Sequence, residues 1–447
     1  MTGYFSPNLK KIIAYNGYDG DPFKVSSTDL NNLRSELQTI YKDIDNQYSE
    51  NMDQLVNGIS QLLLKQTHSD RHNPYVEHQH SHSIRVSKII LKLLDFFLEY
   101  KPESIQALKD KYNIKDDKDL KFILITVGLL HDCNYFVNQE NGEVKAIHAL
   151  KSALSAYQSI DIRLKNILQE KGFSSHESNL LSNAFYDAIY CHNGDKKESQ
   201  FNYIMSTPVG NISYENKLKL QDLITTCLDI NMSSIFLHQC SCYQNLHDSR
   251  NCQKEAYFGI RYEEADEDHN QLLYLLRLAD NFDSTQERLL PTQRNALNKL
   301  LPFAKDHMEK LFKEPSQFHI GSWPWFNILE TSKTAITFTT PEYNALKKVI
   351  YKDDNYKPGI IQNNSLNNQF RYYIGLWLVG DINLIEIKNS IKLKVTLKKD
   401  ISHQSFINFF KNQTCLSDGE KGERTLIKCS EFYANRICPK NMEVIID

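Results

Sequence analysis

From about Ser27 to Leu290 the apolar residues recur at spacings of three and four with few glycines between them, which predicts a series of amphipathic helices. Between Ile84 and Tyr100 the apolar run is broken by Arg85, Lys88, Lys92 and Asp95, the mark of a helix with one wet face rather than a membrane span. Phe122 to Leu130 is nearly all apolar. With Asp119, Leu120 and Lys121 before it, the stretch is long enough for a buried helix leading into His131 and Asp132. Leu181, Phe185, Ala188 and His192 fall at i, i+4, i+7 and i+11, so His192 belongs to the buried face of its helix. His82, Val86, Ile89 and Leu93 repeat that arrangement. Further on, Leu272, Leu276 and Ala279 share a face with Asp280 and Asp283, so carboxylates point where leucines point.

The helical period weakens between Ser199 and Asp268, which reads as an insertion or lid. After Pro291 the character changes: Thr334 to Thr340 and Leu384 to Leu397 alternate apolar and polar residues, with Asn389-Ser390 at a hairpin turn. The expected architecture is mainly α. Residues 1–74 form an N-terminal helical extension, 75–290 a helical domain with its insertion near 199–268, and 291–447 a smaller C-terminal α+β domain. A chain of 447 residues exceeds one ordinary core, and 41% apolar residues are enough to bury several.

Charge narrows the partners only a little. The 52 basic and 55 acidic residues leave a net −3, with no block of like charge long enough for a nucleic-acid arm or a polybasic membrane patch. Met1 to Pro22 has no continuous apolar stretch of the signal-peptide kind, and no apolar run reaches the roughly 18 residues that a spanning helix needs. Nine cysteines without framework spacing read as reduced thiols, and a cytoplasmic location is expected.

The candidate chemistry lies in His82, His131, Asp132, His192 and Asp280, each ending or punctuating an apolar helical stretch where an ionisable group is costly without a partner. A divalent metal would be that partner. Imidazole and carboxylate together suit first-row ions, and a helical cage of this kind holds one or two of them. Two ions about 3.5 to 4 Å apart activate a bridging water and neutralise phosphoryl oxygens during in-line attack. Asp132 can bridge because its carboxylate has two oxygens.

The order His82-Ser83-Ile84-Arg85-Val86, then Leu129-Leu130-His131-Asp132, then Arg277-Leu278-Ala279-Asp280 resembles the HD superfamily of metal-dependent phosphohydrolases over about residues 75–290. The histidines between the HD pair and the last aspartate, together with the stretch from Leu275 to Asp283, are also similar to the C-terminal HD domain of the exopolyphosphatase and guanosine pentaphosphatase family. The resemblance implies an HD-type helical bundle in which His82, His131, Asp132 and Asp280 ligate one metal. His148 and His192, with Asp132 as bridge, would ligate a second. It implies manganese, iron, cobalt, nickel or magnesium as cofactor and a nucleotide or small phosphorylated metabolite as substrate. Cys133-Asn134-Tyr135 stands where Ile-Gly-Lys often follows the HD pair, so Arg277 and Asn193 become the candidates for phosphate contact.

Blander readings stand beside these. A single histidine on an apolar face is most often a satisfied core residue. Asp283 reads as a cap or ion-pair member, and Arg277 as a surface or structural residue about as readily as a substrate contact. Cys240, Cys242, His247 and Cys252 read as loop thiols before they read as a zinc knuckle, and Trp323-Pro324-Trp325 as packing before a stacking platform. Two other functions remain: a non-catalytic regulatory module that binds a nucleotide or partner, and a metal-dependent single-strand nuclease. A homo-oligomer is compatible with either.

Overall fold

The computed structural model describes residues 27–45, 48–69, 80–133, 148–192, 271–304, 329–351, 373, 375–388, 390–398 and 443–446. The Cys240 to Cys252 segment and Trp323-Pro324-Trp325 lie outside them, as does the whole span read as an insertion, 199–268. The chain divides into two compact units, one of Met1–His72 and His78–Ala279, the other of Asn73–Glu77 and Asp280–Asp447. It is mainly α with a small α+β part, as the pattern predicts.

The first unit contains α1 (Ser27–Ile44), α2 (Glu50–Ser69), α3 (His80–Tyr100), α4 (Pro102–Tyr112), α5 (Asp117–Leu130), α6 (His148–Glu170) and α7 (Ser175–Cys191). Its axis is α5, which touches α1, α2, α3, α6 and α7. Leu120 and every residue from Phe122 to Leu130 are buried, because a helix enclosed on all sides has no wet face to present. The N-cap Asp116 carboxylate accepts from the Lys118 amide at 2.9 Å, and Asp117 and Asp119 place negative charge on the first turn, where the helix dipole favours it.

Helices α1 and α2 belong to this same unit rather than forming an extension of their own. Leu33, Leu37 and Tyr41 of α1 are buried, and the Tyr41 hydroxyl reaches Thr126 Oγ1 of α5 at 2.9 Å. Helix α3 crosses α5 closely at Gly128. A Cβ at Gly128 would lie 2.8 Å from Ile90 Cδ1 and from Ser87 Oγ, so the bare glycine is what lets the two backbones approach. Ser87 Oγ spans the crossing, 2.9 Å from Ser83 O and 3.1 Å from Ile125 O. Ile90, not Ile89, is the fully buried isoleucine of α3, a small rotation from the face expected. Helix α6 ends at Gly172 (φ 89°), whose amide bonds Gln169 O while Phe173 N closes on Leu168 O. The chain then reverses into α7.

Helix α8 spans Gln271–Phe282. The second unit continues with a 3₁₀ turn (Gln286–Arg288), α9 (Pro291–Phe303), α10 (Thr340–Tyr351), β1 (Val379–Ile387), β2 (Ser390–Leu397) and β3 (Glu443–Ile446). β1 and β2 form the expected hairpin, antiparallel from Ile387↔Ser390 to Val379↔Leu397, and β3 joins β2 in parallel. Lys388 turns it with φ 52°. The strand predicted at Thr334 to Thr340 is not formed. Ser332 O accepts from the Ala335 and Ile336 amides in a turn, and Thr339 then caps α10: its amide donates to Glu342 Oε2 at 2.8 Å and its hydroxyl accepts from Glu342 N at 3.4 Å. Local capping overrides the alternation there, because Thr339 and Glu342 satisfy two orphan amides of a helix start.

Candidate metal centre

Two helix C-termini deliver the central residues. His131 is the C-cap of α5 and Asp132 follows it, and His192 is the C-cap of α7. His82 lies in the first turn of α3, which reaches the site because it crosses α5 at Gly128. All four side chains are buried: His82 and His131 are 0% exposed, Asp132 3% and His192 6%.

The hydrogen bonds fix which nitrogens face inward. His131 Nδ1 donates to Gly128 O at 2.7 Å, and His192 Nδ1 donates to Ile189 O at 2.6 Å. Each acceptor is a carbonyl three residues back, in the last turn, where the helix leaves carbonyls to be satisfied from outside. A carbonyl carries no proton, so both Nδ1 atoms do. In the neutral rings the lone pairs therefore sit on Nε2. Those atoms converge: His131 Nε2 is 3.2 Å from His82 Nε2 and 3.5 Å from Asp132 Oδ2, His82 Nε2 is 3.6 Å from Asp132 Oδ2, and His192 Nε2 is 3.0 Å from Asp132 Oδ1.

Inward lone pairs, a carboxylate and the negative ends of two helix dipoles build up negative potential in a space from which water is excluded. That arrangement is stable only with positive charge at its centre, either protons on the rings or a cation among them. The donor atoms pass the fit for a cation: one ligand atom from each of His131, Asp132 and His192 lies within 4.8 Å of the others. Asp280 lies near the end of α8 and belongs to the second unit.

Cys133 directly follows Asp132 but stays out of the donor set. Burial, and then the Asp132 charge, push its thiol well above the usual range, and its Sγ donates to Ser152 O at 3.5 Å. It remains a protonated thiol.

Of the residues singled out in the sequence, the structure brings together His82, His131, Asp132 and His192, all of the first unit, while Asp280 belongs to the second. His148 opens α6, with its side chain outside the described atoms, and Asn193 lies outside the described residues. Arg277 is buried at 2% exposure, which removes the surface reading. Asp283 is also buried, and its carbonyl accepts from the Thr285 amide at 2.8 Å. One residue escaped the sequence reading: Arg288, buried at 7% exposure, whose Nη1 donates to Asp280 Oδ1 at 3.2 Å. No period or motif in the sequence marks it. Compared with models of known families, with curated proteins and with solved structures, the chain finds no match in any of the three.

Proposed function

We propose that the chain is a divalent-metal-dependent phosphohydrolase of the HD type, cleaving a phosphoester or phosphoanhydride in a nucleotide or small phosphorylated metabolite. The observation that carries this reading is the division of the Asp132 carboxylate, with Oδ2 toward His82 and His131 and Oδ1 toward His192. One carboxylate is thereby offered to two neighbouring positions. The first would be held by His82, His131, Asp132 and Asp280, the second by His192 and Asp132 with His148 as the further ligand. Bound there, manganese, iron, cobalt, nickel or magnesium supplies charge neutralisation at the phosphoryl oxygens and acidifies a water for in-line attack.

The chain's own contribution is positional. Protons fixed at Nδ1 of His131 and His192 keep both rings as Nε2 donors and take them out of acid–base roles. Burial of His82, His131 and Asp132 excludes bulk water, which strengthens every charge interaction inside. Asp280 is the more open member, its side chain 28% exposed. Arg277, one turn before it, and Asn193, directly after His192, are the candidates for the phosphate.

The test is metal content and hydrolysis together. Wild-type protein purified without chelator, then loaded with manganese, should carry about one to two equivalents and hydrolyse at least one member of a panel of nucleotides and phosphoesters. Asp132→Ala should lose both. Hydrolysis by that variant at the wild-type rate ends the proposal; metal without turnover across the panel moves the reading to a binding module. Among the described residues no helix is long and apolar enough to cross a membrane.

A further inference from the structure

Three buried hydroxyls on these helices follow one rule. Ser60, Ser87 and Thr126 are all 0% exposed, and each donates to the carbonyl four residues back: Val56 O at 2.8 Å, Ser83 O at 2.9 Å and Phe122 O at 2.7 Å. Ser83 breaks it. Its side chain is also 0% exposed, yet its Oγ has no hydrogen-bond partner among the described residues. The reason is positional: α3 begins at His80, so no carbonyl of the helix lies one turn behind Ser83. A hydroxyl in that state destabilises the fold unless a bound group accepts from it.

The crossing of α3 and α5 fixes where that group sits. Ser83 and Ser87 are four apart on one face of α3, and Ser87 Oγ reaches Ile125 O of α5 at 3.1 Å. The two helices run in opposite directions, since His82 at the start of α3 meets His131 at the end of α5, Nε2 to Nε2, at 3.2 Å. One turn from Ser87 toward the start of α3 is therefore one turn from Ile125 and Gly128 toward the end of α5, which is the level of Leu129 to Asp132. Helical side chains lean toward the N-terminus of their helix, so the Ser83 hydroxyl leans toward the donor set. All of these residues belong to the first unit.

The surroundings choose the chemistry. A serine hydroxyl has a proton to give, and the start of α3 carries the positive end of its helix dipole, which favours an anion. We infer that Ser83 is a substrate-binding residue of the candidate metal centre, its hydroxyl donating to a phosphoryl oxygen. The inference rests on the proposed function, because the phosphoryl group is held there only with the metal in place.

Mn²⁺ and inorganic phosphate are the probes, titrated in turn by calorimetry into full-length wild type, Ser83→Ala and Ser83→Cys, with urea denaturation of the metal-free proteins beside them. Ser83→Ala should bind Mn²⁺ as wild type does. Loaded with Mn²⁺, it should bind phosphate about ten- to a hundredfold more weakly, the loss of one hydrogen bond to a charged oxygen. Ser83→Cys, close in volume but a weak donor, should lose a similar amount. Metal-free Ser83→Ala should unfold at the wild-type urea concentration or above it, since it gives up a buried hydroxyl that the fold does not pair, whereas Ser87→Ala should unfold earlier. Unchanged phosphate affinity in Mn²⁺-loaded Ser83→Ala, or a lowered urea midpoint, overturns the inference and leaves the metal centre standing. So does weaker Mn²⁺ binding by that variant, which would assign the hydroxyl to the metal rather than to phosphate, and so does a Mn²⁺-loaded wild type that binds no phosphate. Failure of wild type to bind Mn²⁺ overturns the metal centre, and the inference with it.

Discussion

At the first turn of α5, Asp119 meets the Lys171 ammonium at 3.0 Å, and the same ammonium lies 2.7 Å from Asp45. Just past the last turn of that helix, Asp132 meets the imidazoles of His82, His131 and His192. The two aspartates are thirteen residues apart, which is about 20 Å along the axis, and both are buried. What differs is the partner. A lysine brings permanent positive charge, so the acidic pair at the N-terminal end is complete within the chain. Imidazoles bring charge only when protonated, and two of these have their Nδ1 protons committed to carbonyls. The first end reads as structure and the second as the metal centre proposed above.

The sharpest way to separate the two ends is to remove the lysine. Burial alone would lower its pKa, but hydrogen bonds to Asp45 and Asp119 hold the Lys171 ammonium above its ordinary value. Burial pushes the Asp119 carboxyl up, against the pull of Lys171. Lys171→Met removes the ammonium that Asp45 and Asp119 share, and breaking a buried pair from one side costs about 3 kcal/mol. Chemical denaturation should show that loss with and without chelator, while metal content stays at the wild-type value. Because the folded pKa of Lys171 is raised, its contribution is present below the ordinary lysine value and lost as pH rises through the folded one. The variant should lack that alkaline loss. A Lys171→Met protein that also lost its metal would show that the two ends of α5 are not independent.

Gly128→Ala probes the other end through packing. The new methyl would sit 2.8 Å from two atoms and 3.1 Å from Ser87 Cα, a backbone atom that moves only with its helix. Overpacking of this kind costs up to about 3 kcal/mol, and the better helix propensity of alanine returns about 1, for a net loss of about 2 kcal/mol. Gly128 O also anchors His131 Nδ1, so Mn²⁺ affinity should fall together with stability. Loss of stability at unchanged Mn²⁺ affinity would mean that the anchor does not position the ring.

How much of this was legible in the sequence follows from how local each signal is. The apolar run ahead of His131 and the spacings that put His82 and His192 on buried faces are properties of single helices, and all three histidines are buried. The Leu384 to Leu397 alternation gave the hairpin for the same reason, although β1 starts earlier, at Val379, where only the sheet partner Leu397 marks it. Lys171 with Asp45 was invisible, being a pairing across 126 positions that no period encodes. Arg288 was missed because a buried arginine looks in sequence like any exposed one. Thr334 to Thr340 misled because alternation and a helix run-in share the same residues; the Thr339 to Glu342 spacing of a capping box was the better guide.

The mildest test sits at the start of α7, the helix whose far end supplies His192. Ser174 Oγ accepts from the Glu177 amide at 3.2 Å, and Glu177 Oε2 accepts from the Ser174 amide at 2.7 Å. These bonds, the Ser174 backbone amide first, then the Ser174 hydroxyl and the Asn113 amide, hold the Glu177 carboxyl below its ordinary value of 4.5. A depressed folded pKa contributes stability that is present above the ordinary value and lost as pH falls through the folded one. Ser174→Ala should cost about 1 kcal/mol at neutral pH, as the loss of a serine cap does, and the gap from wild type should narrow below pH 4.5 as Glu177 takes up its proton. Mn²⁺ affinity should not change, because His192 is oriented by Ile189 O in the last turn and not by the cap at the first. If weakening the start of α7 loosens the metal, the orientation of His192 depends on the whole helix, and the contrast between a self-sufficient end and a cation-dependent end would have to be drawn between helices rather than within them.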